Sequence, residues 1–305
     1  MVTAMARKAS GRYFAGKRCL VTGAASGIGR ATALRLAAQG AELYLTDRNA
    51  DGLELTVADA RALGAQVPAH RTLDIADYGQ VAAFAADIHA KHPSMDVLLN
   101  IAGVSAWGTV DRLTHEQWSN MIAINLMGPI HVIETFVPAM VAAGRGGHLV
   151  NVSSAAGLVA LPWHAAYSAS KYGLRGLSEV LRFDLAWHRI GVSVVVPGAV
   201  KTPLVNTVEI AGVDREDPRV ARWVDRFGGH AVSPEKAAEK ILAGVARNRY
   251  LIYTSQDIRA LYAFKRLAWW PYSVAMRQVN GIFTRALRPA PAPLLRHEQL
   301  ESHPE

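Results

Sequence analysis

The sequence predicts an α/β fold in which a doubly wound parallel sheet lies between two layers of helices, followed by a C-terminal helical extension. Short apolar runs alternate along the chain with longer amphipathic runs. Strands of about 4–8 residues that alternate with helices of 10 or more indicate right-handed βαβ units and a parallel sheet. No internal repeat of fixed period interrupts this pattern. Together these observations favour a three-layer architecture.

Seven apolar runs have the length and composition of buried strands. They cover residues 18–23, 42–47, 66–74, 95–103, 146–154, 191–198 and 249–255. Six segments between them have apolar residues at helical spacing and predict helices over 27–40, 50–64, 78–92, 116–144, 165–189 and 235–247. The longest of these contains Pro129 and Pro138, where we expect kinks.

The chain divides into three parts by composition. Residues 1–13 predict a flexible N-terminus, and residues 14–255 a single domain in which 203–232, which lack a strand signal, form a helical flap over the substrate. Residues 256–305 are rich in basic and aromatic side chains, with an end that we expect to be disordered. Half of the chain is hydrophobic, which is sufficient for a large core.

The formal net charge of +8 is concentrated near the C-terminus. Residues 258–297 contain seven Lys or Arg and no Asp or Glu. This local excess indicates an anionic partner for that segment and argues against a nucleic-acid-binding face elsewhere.

The single cysteine and the search for targeting segments predict the cellular location of the protein. Cys19 is the single cysteine and lies in an apolar run, so we interpret it as an inert core residue. No metal-ligand spacing occurs, and we expect no metal site. We find no secretory leader pattern and no uncharged apolar window long enough for a spanning helix, so a cytoplasmic location is expected.

A glycine-rich turn joins the first predicted strand to the first predicted helix. Residues 22–29 read TGAASGIG, in which Gly23, Gly27 and Gly29 allow a tight turn and close backbone approach to a pyrophosphate. Ser26 and Ile28 complete the turn, and the helix N-terminus after it offers free N–H groups. The strand–turn–helix context predicts a dinucleotide site.

Six motifs in order resemble those of the short-chain dehydrogenase/reductase family over roughly residues 14–255. They are TGAASGIG, NIAG at 100–103, Asn125 in the long helix, SS at 153–154, Tyr167-x-x-x-Lys171 and PGAVKT at 197–202. The resemblance implies a Rossmann-type fold, a nicotinamide cofactor, oxidoreductase activity on an alcohol or carbonyl, and a homo-oligomer, either a dimer or a tetramer. Ile101 departs from the pattern, because the family usually has asparagine there.

Asp47 ends the second predicted strand and favours NAD(H) over NADP(H). A carboxylate at this position hydrogen-bonds the adenine ribose and repels a 2′-phosphate. Arg48 follows it and leaves three alternatives open: pairing with such a phosphate, stacking on adenine, or exposure to solvent without a cofactor contact. Ser26 stands where many NADP-using relatives carry a basic residue, again by resemblance.

The resemblance assigns the remaining cofactor contacts. It places Asp74 and Ile75 at the adenine pocket, although Asp74 can also serve as a turn cap. It gives cofactor-binding positions to Asn100, Ala102, Gly103, Pro197, Gly198, Val200 and Thr202, and it makes Tyr167 and Lys171 part of the same site.

Tyr167 and Lys171 have the spacing of an acid/base pair. Proton transfer must accompany hydride transfer at a carbinol carbon, and a phenol can carry the proton although its usual pKa is about 10. Because positions i and i+4 share one helix face, the Lys171 cation is expected near Tyr167, where it would lower the pKa of the phenol.

Two further side chains complete the predicted catalytic group. Ser154, thirteen residues before Tyr167 and just past a strand end, is expected to hold the substrate oxygen, and the family spacing selects it over Ser153. By resemblance, Asn125 holds a water that connects Lys171 to solvent.

Apolar residues surround the expected substrate position. Trp107 and Trp163 are predicted to bind substrate, with core packing as the alternative for both; Val104, Leu158 and Leu161 are expected nearby. This indicates a bulky apolar alcohol or carbonyl compound. We interpret His164 as a packing or solvent-facing residue.

Two interpretations of residues 258–290 stay open. An amphipathic basic helix interrupted at Pro271 could contact a membrane surface peripherally, or it could pack on its own domain or on another subunit. For the whole chain, the alternatives to an enzyme are a dinucleotide-binding module without turnover and a membrane-docking protein.

Overall fold

The fold is built on seven parallel strands, in agreement with the predicted α/β class. The computed structural model describes residues 13–204, 208–213, 217 and 231–287. The sheet has the strand order β3-β2-β1-β4-β6-β7-β9. These strands are β1 (Arg18–Thr22), β2 (Glu42–Asp47), β3 (Ala69–Thr72), β4 (Val97–Asn100), β6 (Gly147–Val152), β7 (Ile190–Val196) and β9 (Leu251–Tyr253).

All seven predicted strands are present, and most end a few residues earlier than predicted. The third and fourth differ most, since β3 has four residues within the predicted range 66–74 and β4 has four within 95–103. Pro68 directly precedes β3 and has no N–H to donate to a neighbouring strand, which limits the strand at that end.

Helices cover both faces of the sheet and enclose two large apolar clusters. They are α1 (Gly27–Ala37), α2 (Ala50–Ala62), α3 (Tyr78–His89), α4 (His115–Ile122), α5 (Gly128–Ala143), α6 (Ala165–Asp184) and α7 (Pro234–Val245). On one face, Leu36 of α1 and Ile241 of α7 belong to one cluster. On the other, Phe84 of α3 and Phe136 of α5 belong to the second. The three predicted layers are therefore confirmed.

The long predicted helix over 116–144 is interrupted, which the sequence pattern did not predict. Residues Ala123–Met127 form a π-helical segment between α4 and α5. Pro129 lies in the first turn of α5, directly after the π-helical segment, where it cannot donate an N–H to the preceding turn, and Pro138 lies inside α5. Because a π-helical turn is wider than an α-helical one, the segment changes the direction in which Asn125 projects.

The continuous helical run His115–Ala143 is long and apolar enough by composition to cross a membrane. Its apolar residues Val132, Phe136 and Met140 are buried in the core cluster beside α3. A core helix passes the same test of length and composition, and these contacts account for the apolar content of α5.

A second, two-stranded sheet corrects the prediction that 203–232 contains no strand. Strand β5 (Ala106–Trp107) pairs in parallel with β8 (Glu209–Ile210). Val200 also forms an isolated bridge with Val232. Two-residue strands are too short for a periodic signal, which explains why the sequence pattern missed them. Most of the predicted helical flap lies outside the described residues.

The C-terminal extension forms two helices, α8 (Gln256–Leu267) and α9 (Trp269–Leu287). The break falls at Ala268, which leaves helical geometry with φ −136° and ψ 61°, and the prediction of a break at Pro271 was wrong. Pro271 lies in the first turn of α9, where proline is tolerated. The expected disordered end at 288–305, and the expected flexible N-terminus apart from Tyr13, lie outside the described residues.

The extension packs against its own domain through the inner face of both helices. Tyr272 is 1% exposed, and its hydroxyl accepts a hydrogen bond from the Ala160 N–H at 2.8 Å. The Lys265 amine donates to the Leu158 carbonyl and to the Tyr172 hydroxyl, at 2.8 and 2.7 Å. These contacts attach α8 and α9 to the loop between β6 and α6 and to α6 itself.

We predict that Tyr272→Phe lowers the free energy of unfolding by about 1 kcal/mol, because the Ala160 N–H loses its acceptor. Urea unfolding followed by circular dichroism measures the change. Tyr250→Phe is the matched control, since the buried Tyr250 hydroxyl has no hydrogen-bond partner in the described part of the structure. We expect its stability to be unchanged or higher; equal losses in both variants would contradict the role of the Tyr272 hydrogen bond.

Candidate active site

The predicted site residues lie along the carboxyl ends of the strands. The strands β1, β2 and β3 follow one another toward one edge of the sheet, and β4, β6, β7 and β9 follow one another toward the other edge. In an open parallel sheet, a ligand-binding crevice forms where this order reverses, here between the carboxyl ends of β1 and β4. Thr22 ends β1, and its hydroxyl oxygen accepts hydrogen bonds from the N–H groups of Ile101 and Ala102, at 3.0 and 3.2 Å. This clamp ties the turn after β4 to the turn after β1.

The glycine-rich turn lies against that clamp. Gly23 has φ +70°, and a Cβ on it would lie 2.8 Å from the Ala102 Cα. A Cβ on Gly29 would meet the Gly23 carbonyl oxygen at 1.8 Å. Any side chain at these two positions would therefore separate the turn from α1 or from β4.

The N-terminus of α1 faces the same crevice. Ser26 is its N-cap residue, and its side chain makes no capping hydrogen bond. The first N–H groups of a helix, here those of Gly27, Ile28 and Gly29, have no partner within the helix and suit an anion.

Asp47 stands at the end of β2 beside the glycine-rich turn. Its carboxylate accepts hydrogen bonds from the N–H groups of Ala25 and Asn49, each at 2.9 Å. These bonds hold a half-buried negative charge at the edge of the crevice. Arg48 is exposed next to it.

Asp74 and Ile75 have structural contacts in addition to the role that the resemblance implies. The Asp74 carboxylate accepts a hydrogen bond from the Ala76 N–H at 2.9 Å, which is the turn-cap alternative. The Ile75 side chain is buried, and a Cβ on Gly128 would lie 2.6 Å from it. Its carbonyl oxygen is 2.9 Å from Nδ1 of His131.

A buried amide chain supports the turn after β4. The Asn100 Nδ2 donates to Asn151 Oδ1, and Asn151 Nδ2 donates to the Ser178 hydroxyl, both at 2.9 Å. Ile101, the departure from the family pattern, packs against the core cluster on the α1 side of the sheet. An apolar residue at this position is therefore accommodated by the core.

The PGAVKT segment closes the crevice opposite α1. The Pro197 carbonyl accepts a hydrogen bond from the Ala155 N–H at 2.8 Å, and the Gly198 N–H reaches Thr254 Oγ1 at 3.4 Å. Val200 is buried, and a Cβ on Gly27 would touch the Thr202 side chain at 3.0 Å. The structure thus brings the turn after β7 against the glycine-rich turn.

Tyr167 and Lys171 lie one turn apart on α6 and face the same crevice. The Lys171 amine is 5.8 Å from the centre of the Tyr167 ring and donates to the Val152 carbonyl at 3.0 Å. A Cβ on Gly103 would lie 3.3 Å from that amine, which places the pair next to the turn after β4. The predicted proximity is confirmed.

Burial dominates the electrostatics of this pair. It lowers the pKa of Lys171 to about 8, since the charged amine is removed from water. It also raises the pKa of Tyr167, and a hydrogen bond with Ser154 opposes that rise. The predicted lowering of the phenol pKa by Lys171 is therefore not found in this structure, because removal of the phenol from water outweighs other influences.

The two serines that follow β6 have different hydrogen-bond partners. The Ser153 hydroxyl is buried and donates to the Lys171 carbonyl at 2.9 Å, so it supports α6 from within. Ser154 is half-buried, and its hydroxyl accepts from the Ala156 N–H at 3.1 Å and bonds Tyr167. Ser154 is the serine that lies beside the phenol.

Asn125 projects from the π-helical segment toward the turn after β4. Its Oδ1 accepts from the Val104 N–H, and its Nδ2 donates to the Val104 carbonyl, both at 2.9 Å. The Nδ2 also donates to the Ser170 hydroxyl at 3.2 Å. A Cβ on Gly103 would lie 2.9 Å from Asn125 Oδ1, so only glycine allows the turn after β4 to approach Asn125 and Lys171 this closely.

Aromatic side chains form a wall beside Tyr167. The His164 ring lies 4.6 Å from Trp107, 6.3 Å from Tyr167 and 6.4 Å from Phe283 of α9, measured between ring centres. Burial lowers the pKa of His164 to about 4, so the ring is neutral at physiological pH, in agreement with a packing role. Its Nδ1 is 2.6 Å from the Pro162 carbonyl oxygen.

The two predicted substrate-binding tryptophans share one apolar cluster. Trp163 is buried with Ile210, Phe283 and Leu287, and the half-buried Trp107 packs against this group. Trp163 has φ +65°, which is unfavourable for an indole-bearing residue. Leu158, expected near the substrate, is instead fully buried in a cluster with Tyr272.

Several residues of the site carried no specific sequence signal. The Thr22 hydroxyl, the Val152 carbonyl and Ser170 were not singled out, although Thr22 opens the glycine motif. Phe283 lies more than one hundred residues from Tyr167 in the chain, and periodicity cannot detect such a contact. Within the described residues, no group of three or more His, Cys, Asp or Glu side chains could hold a metal ion.

A dinucleotide fits this arrangement. The glycine-rich turn and the α1 N-terminus suit a pyrophosphate, and Asp47 suits the hydroxyls of a ribose. Gly23 and Gly29 have no room for a side chain, so the backbone of the turn is packed closely. A dinucleotide requires such a turn, because the backbone N–H groups must come close to its phosphates.

Comparisons with known proteins agree with the geometry. The short chain dehydrogenase family matches residues 17–211. A Mycobacterium tuberculosis protein named as the oxidoreductase SadH is 38% identical over 258 residues, which are 83% of this chain and 91% of that protein.

Solved structures of similar proteins contain either of two cofactors. A short chain dehydrogenase/reductase from Burkholderia phymatum, in complex with NAD, has a TM-score of 0.75 and 27% identity, over 93% of this chain and 99% of that one. A metagenomic short-chain oxidoreductase in complex with NADP has a TM-score of 0.63 and 32% identity, over 79% of this chain and 96% of that one. The comparisons therefore do not distinguish NAD from NADP, and the choice has to be argued from the residues of this chain.

Proposed function

This chain belongs to the short-chain dehydrogenase/reductase family of oxidoreductases that act on CH–OH groups, and we propose that it interconverts a secondary alcohol and a carbonyl with NAD(H). The observation that carries the proposal is the position of Ser154, Tyr167 and Lys171 beside the glycine-rich turn and the turn after β4. A cytoplasmic setting, which the single buried Cys19 favours, is part of the proposal.

Tyr167 carries the proton in the proposed mechanism. A bound nicotinamide supplies or accepts the hydride. The Tyr167 hydroxyl donates its proton to the carbonyl oxygen during reduction and takes it back from the alcohol during oxidation. Because burial raises the pKa of Tyr167, the phenol holds its proton at neutral pH and is ready to donate it.

Ser154, Lys171 and Asn125 support this transfer. The Ser154 hydroxyl bonds Tyr167 and holds the same substrate oxygen, where it stabilises developing negative charge. Lys171 provides a nearby cation whose pKa of about 8 allows it to exchange a proton near neutral pH. As the family resemblance implies, a water held by Asn125 passes this proton to solvent.

The proposed substrate is bulky and apolar. Trp107, Trp163 and Phe283 line the side of the site next to His164 and Tyr167. Since Phe283 belongs to α9, the C-terminal extension supplies part of this wall. The aromatic side chains of this wall carry no charge that would bind an ionic substrate, and neutral His164 adds none at physiological pH.

We predict that Tyr167→Phe reduces turnover roughly 100- to 10,000-fold, since the proton carrier is lost. The assay follows nicotinamide absorbance with a panel of apolar alcohols and ketones, while fluorescence titration measures NADH binding, which we expect to be retained. Tyr172→Phe, the same change on the same helix, is the control and should stay active. Turnover in Tyr167→Phe equal to that of the wild type would refute the acid/base role, and an inactive wild type that still binds NADH would favour a binding module.

We predict a preference for NADH over NADPH that depends on the charge of Asp47. Asp47→Asn retains an acceptor oxygen but removes the charge that repels a 2′-phosphate, so the ratio of kcat/KM for the two cofactors should fall at least about tenfold. Steady-state kinetics with both cofactors measures the ratio. Asp51→Asn, an exposed carboxylate in the first turn of α2, is the control and should leave the ratio unchanged. A wild-type preference for NADPH would overturn the assignment.

We predict a homo-oligomer, either a dimer or a tetramer, formed through the exposed faces of α4 and α6. These helices pack together, and the π-helical segment after α4 also approaches α6, where a Cβ on Gly173 would meet Leu126 at 3.0 Å. Trp118, Ile122 and Met127 line a shallow surface groove of about 420 Å³, and α6 exposes Phe183. Light scattering after size-exclusion chromatography gives the mass; a single species of 32.9 kDa would contradict this proposal.

A further inference from the structure

The junction between α8 and α9 exposes large apolar side chains that the catalytic site does not use. Leu267 is 88% exposed, Trp269 63%, Trp270 76% and Phe264 39%. We define these four residues as the aromatic elbow. The two indoles and the leucine lie within four residues of one another at the helix break at Ala268, and each is more than half exposed.

The elbow is held in place by its inner neighbours. Tyr272 contacts both Phe264 and Trp269, with ring centres 6.3 and 5.8 Å apart, and its hydroxyl bonds the Ala160 N–H. Lys265 donates to the Leu158 carbonyl. Phe264 and Trp269 contact Tyr272 and nevertheless remain 39% and 63% exposed, so the elbow keeps apolar area in contact with solvent.

The charges beside the elbow have one sign. Arg259 and Arg266 are exposed on α8, seven residues apart and therefore on the same helix face. Asp257, in the first turn of α8, is exposed at the end of this helix far from the elbow, and from Ile258 through the end of α9 the chain has no Asp or Glu. An anionic surface complements this face, and a basic one would be repelled.

We propose that the aromatic elbow and the arginines of α8 dock the protein on the surface of an anionic lipid bilayer. Indole rings favour the boundary between headgroups and acyl chains, because one edge is apolar and the N–H can be hydrated. Arginine side chains extend their apolar stems along such a surface and place the guanidinium among anionic headgroups.

A second copy of the chain fits this surface less well. A two-fold contact brings identical surfaces together, so the Arg266 side chains of both copies would approach one another without an acidic partner on this segment. A lipid surface carries the opposite charge and has no such conflict. It also accommodates a protruding turn, which buries little area against a rigid protein.

Helix α9 contributes both to the proposed docking surface and to the aromatic wall beside Tyr167. Helix α9 begins with Trp269 at the elbow and carries Phe283 next to His164 near its other end. One helix thus connects the proposed lipid contact with the aromatic side of the active site. The docking proposal rests on the exposed side chains and charges of α8 and α9, and it does not require the protein to be an active enzyme.

The test is co-flotation of the full-length protein with two kinds of vesicle, phosphatidylcholine alone and phosphatidylcholine mixed with phosphatidylglycerol. We expect binding to the mixed vesicles that weakens with added salt. Trp269→Ser combined with Trp270→Ser should lower this binding about tenfold or more, since two large apolar groups are lost. Arg259→Gln combined with Arg266→Gln should lower binding to the mixed vesicles by about fivefold per arginine.

Trp187→Ser is the matched control, because Trp187 is 91% exposed in a different part of the molecule. It should bind mixed vesicles like the wild type, and circular dichroism should show all variants folded. Wild-type protein that does not float with mixed vesicles overturns the proposal, and so does equal binding by the elbow variant. A loss of oligomer mass in the elbow variant with unchanged flotation also overturns it, and would identify a subunit contact instead.

Discussion

The close approach of the glycine-rich turn to the end of β4 is the constraint on which the site depends. Thr22 accepts hydrogen bonds from two consecutive N–H groups of the turn after β4, and Gly23 has no side chain to hold that turn away. The same turn carries Gly103, which adjoins both Lys171 and Asn125. A wider separation between β1 and β4 would therefore move the proposed nucleotide-binding crevice away from Tyr167 and Lys171, the proposed proton-carrying residues.

Burial gives the catalytic pair its properties more than mutual attraction does. Lys171 and Tyr167 are both withdrawn from water, and desolvation disfavours the charged form of each. The two pKa values consequently move apart, the amine from 10.5 down to about 8 and the phenol upward from 10.0. At neutral pH the phenol therefore keeps its proton, and the amine is the group of this pair that exchanges a proton near that pH.

The C-terminal extension connects the site to the outside of the molecule. Its inner face supplies Tyr272 to the packing of the loop after β6 and Phe283 to the aromatic wall. Its outer face leaves two indoles in contact with solvent. Packing on the domain requires apolar residues on only one face of α8 and α9. These helices also have exposed apolar residues on the outer face, which the inner contacts do not need.

The sequence by itself determined the parallel α/β architecture, since each strand and helix has its own periodicity and each turn its own glycines. It also placed Tyr167, Lys171 and the glycine-rich turn together, because parallel strands bring their carboxyl ends to one edge. Only the tertiary structure decided the π-helical turn at Asn125, the β5–β8 pair, the break at Ala268 and the upward shift of the Tyr167 pKa. These features arise from contacts between residues far apart in the chain and from the depth of burial, and local patterns contain neither.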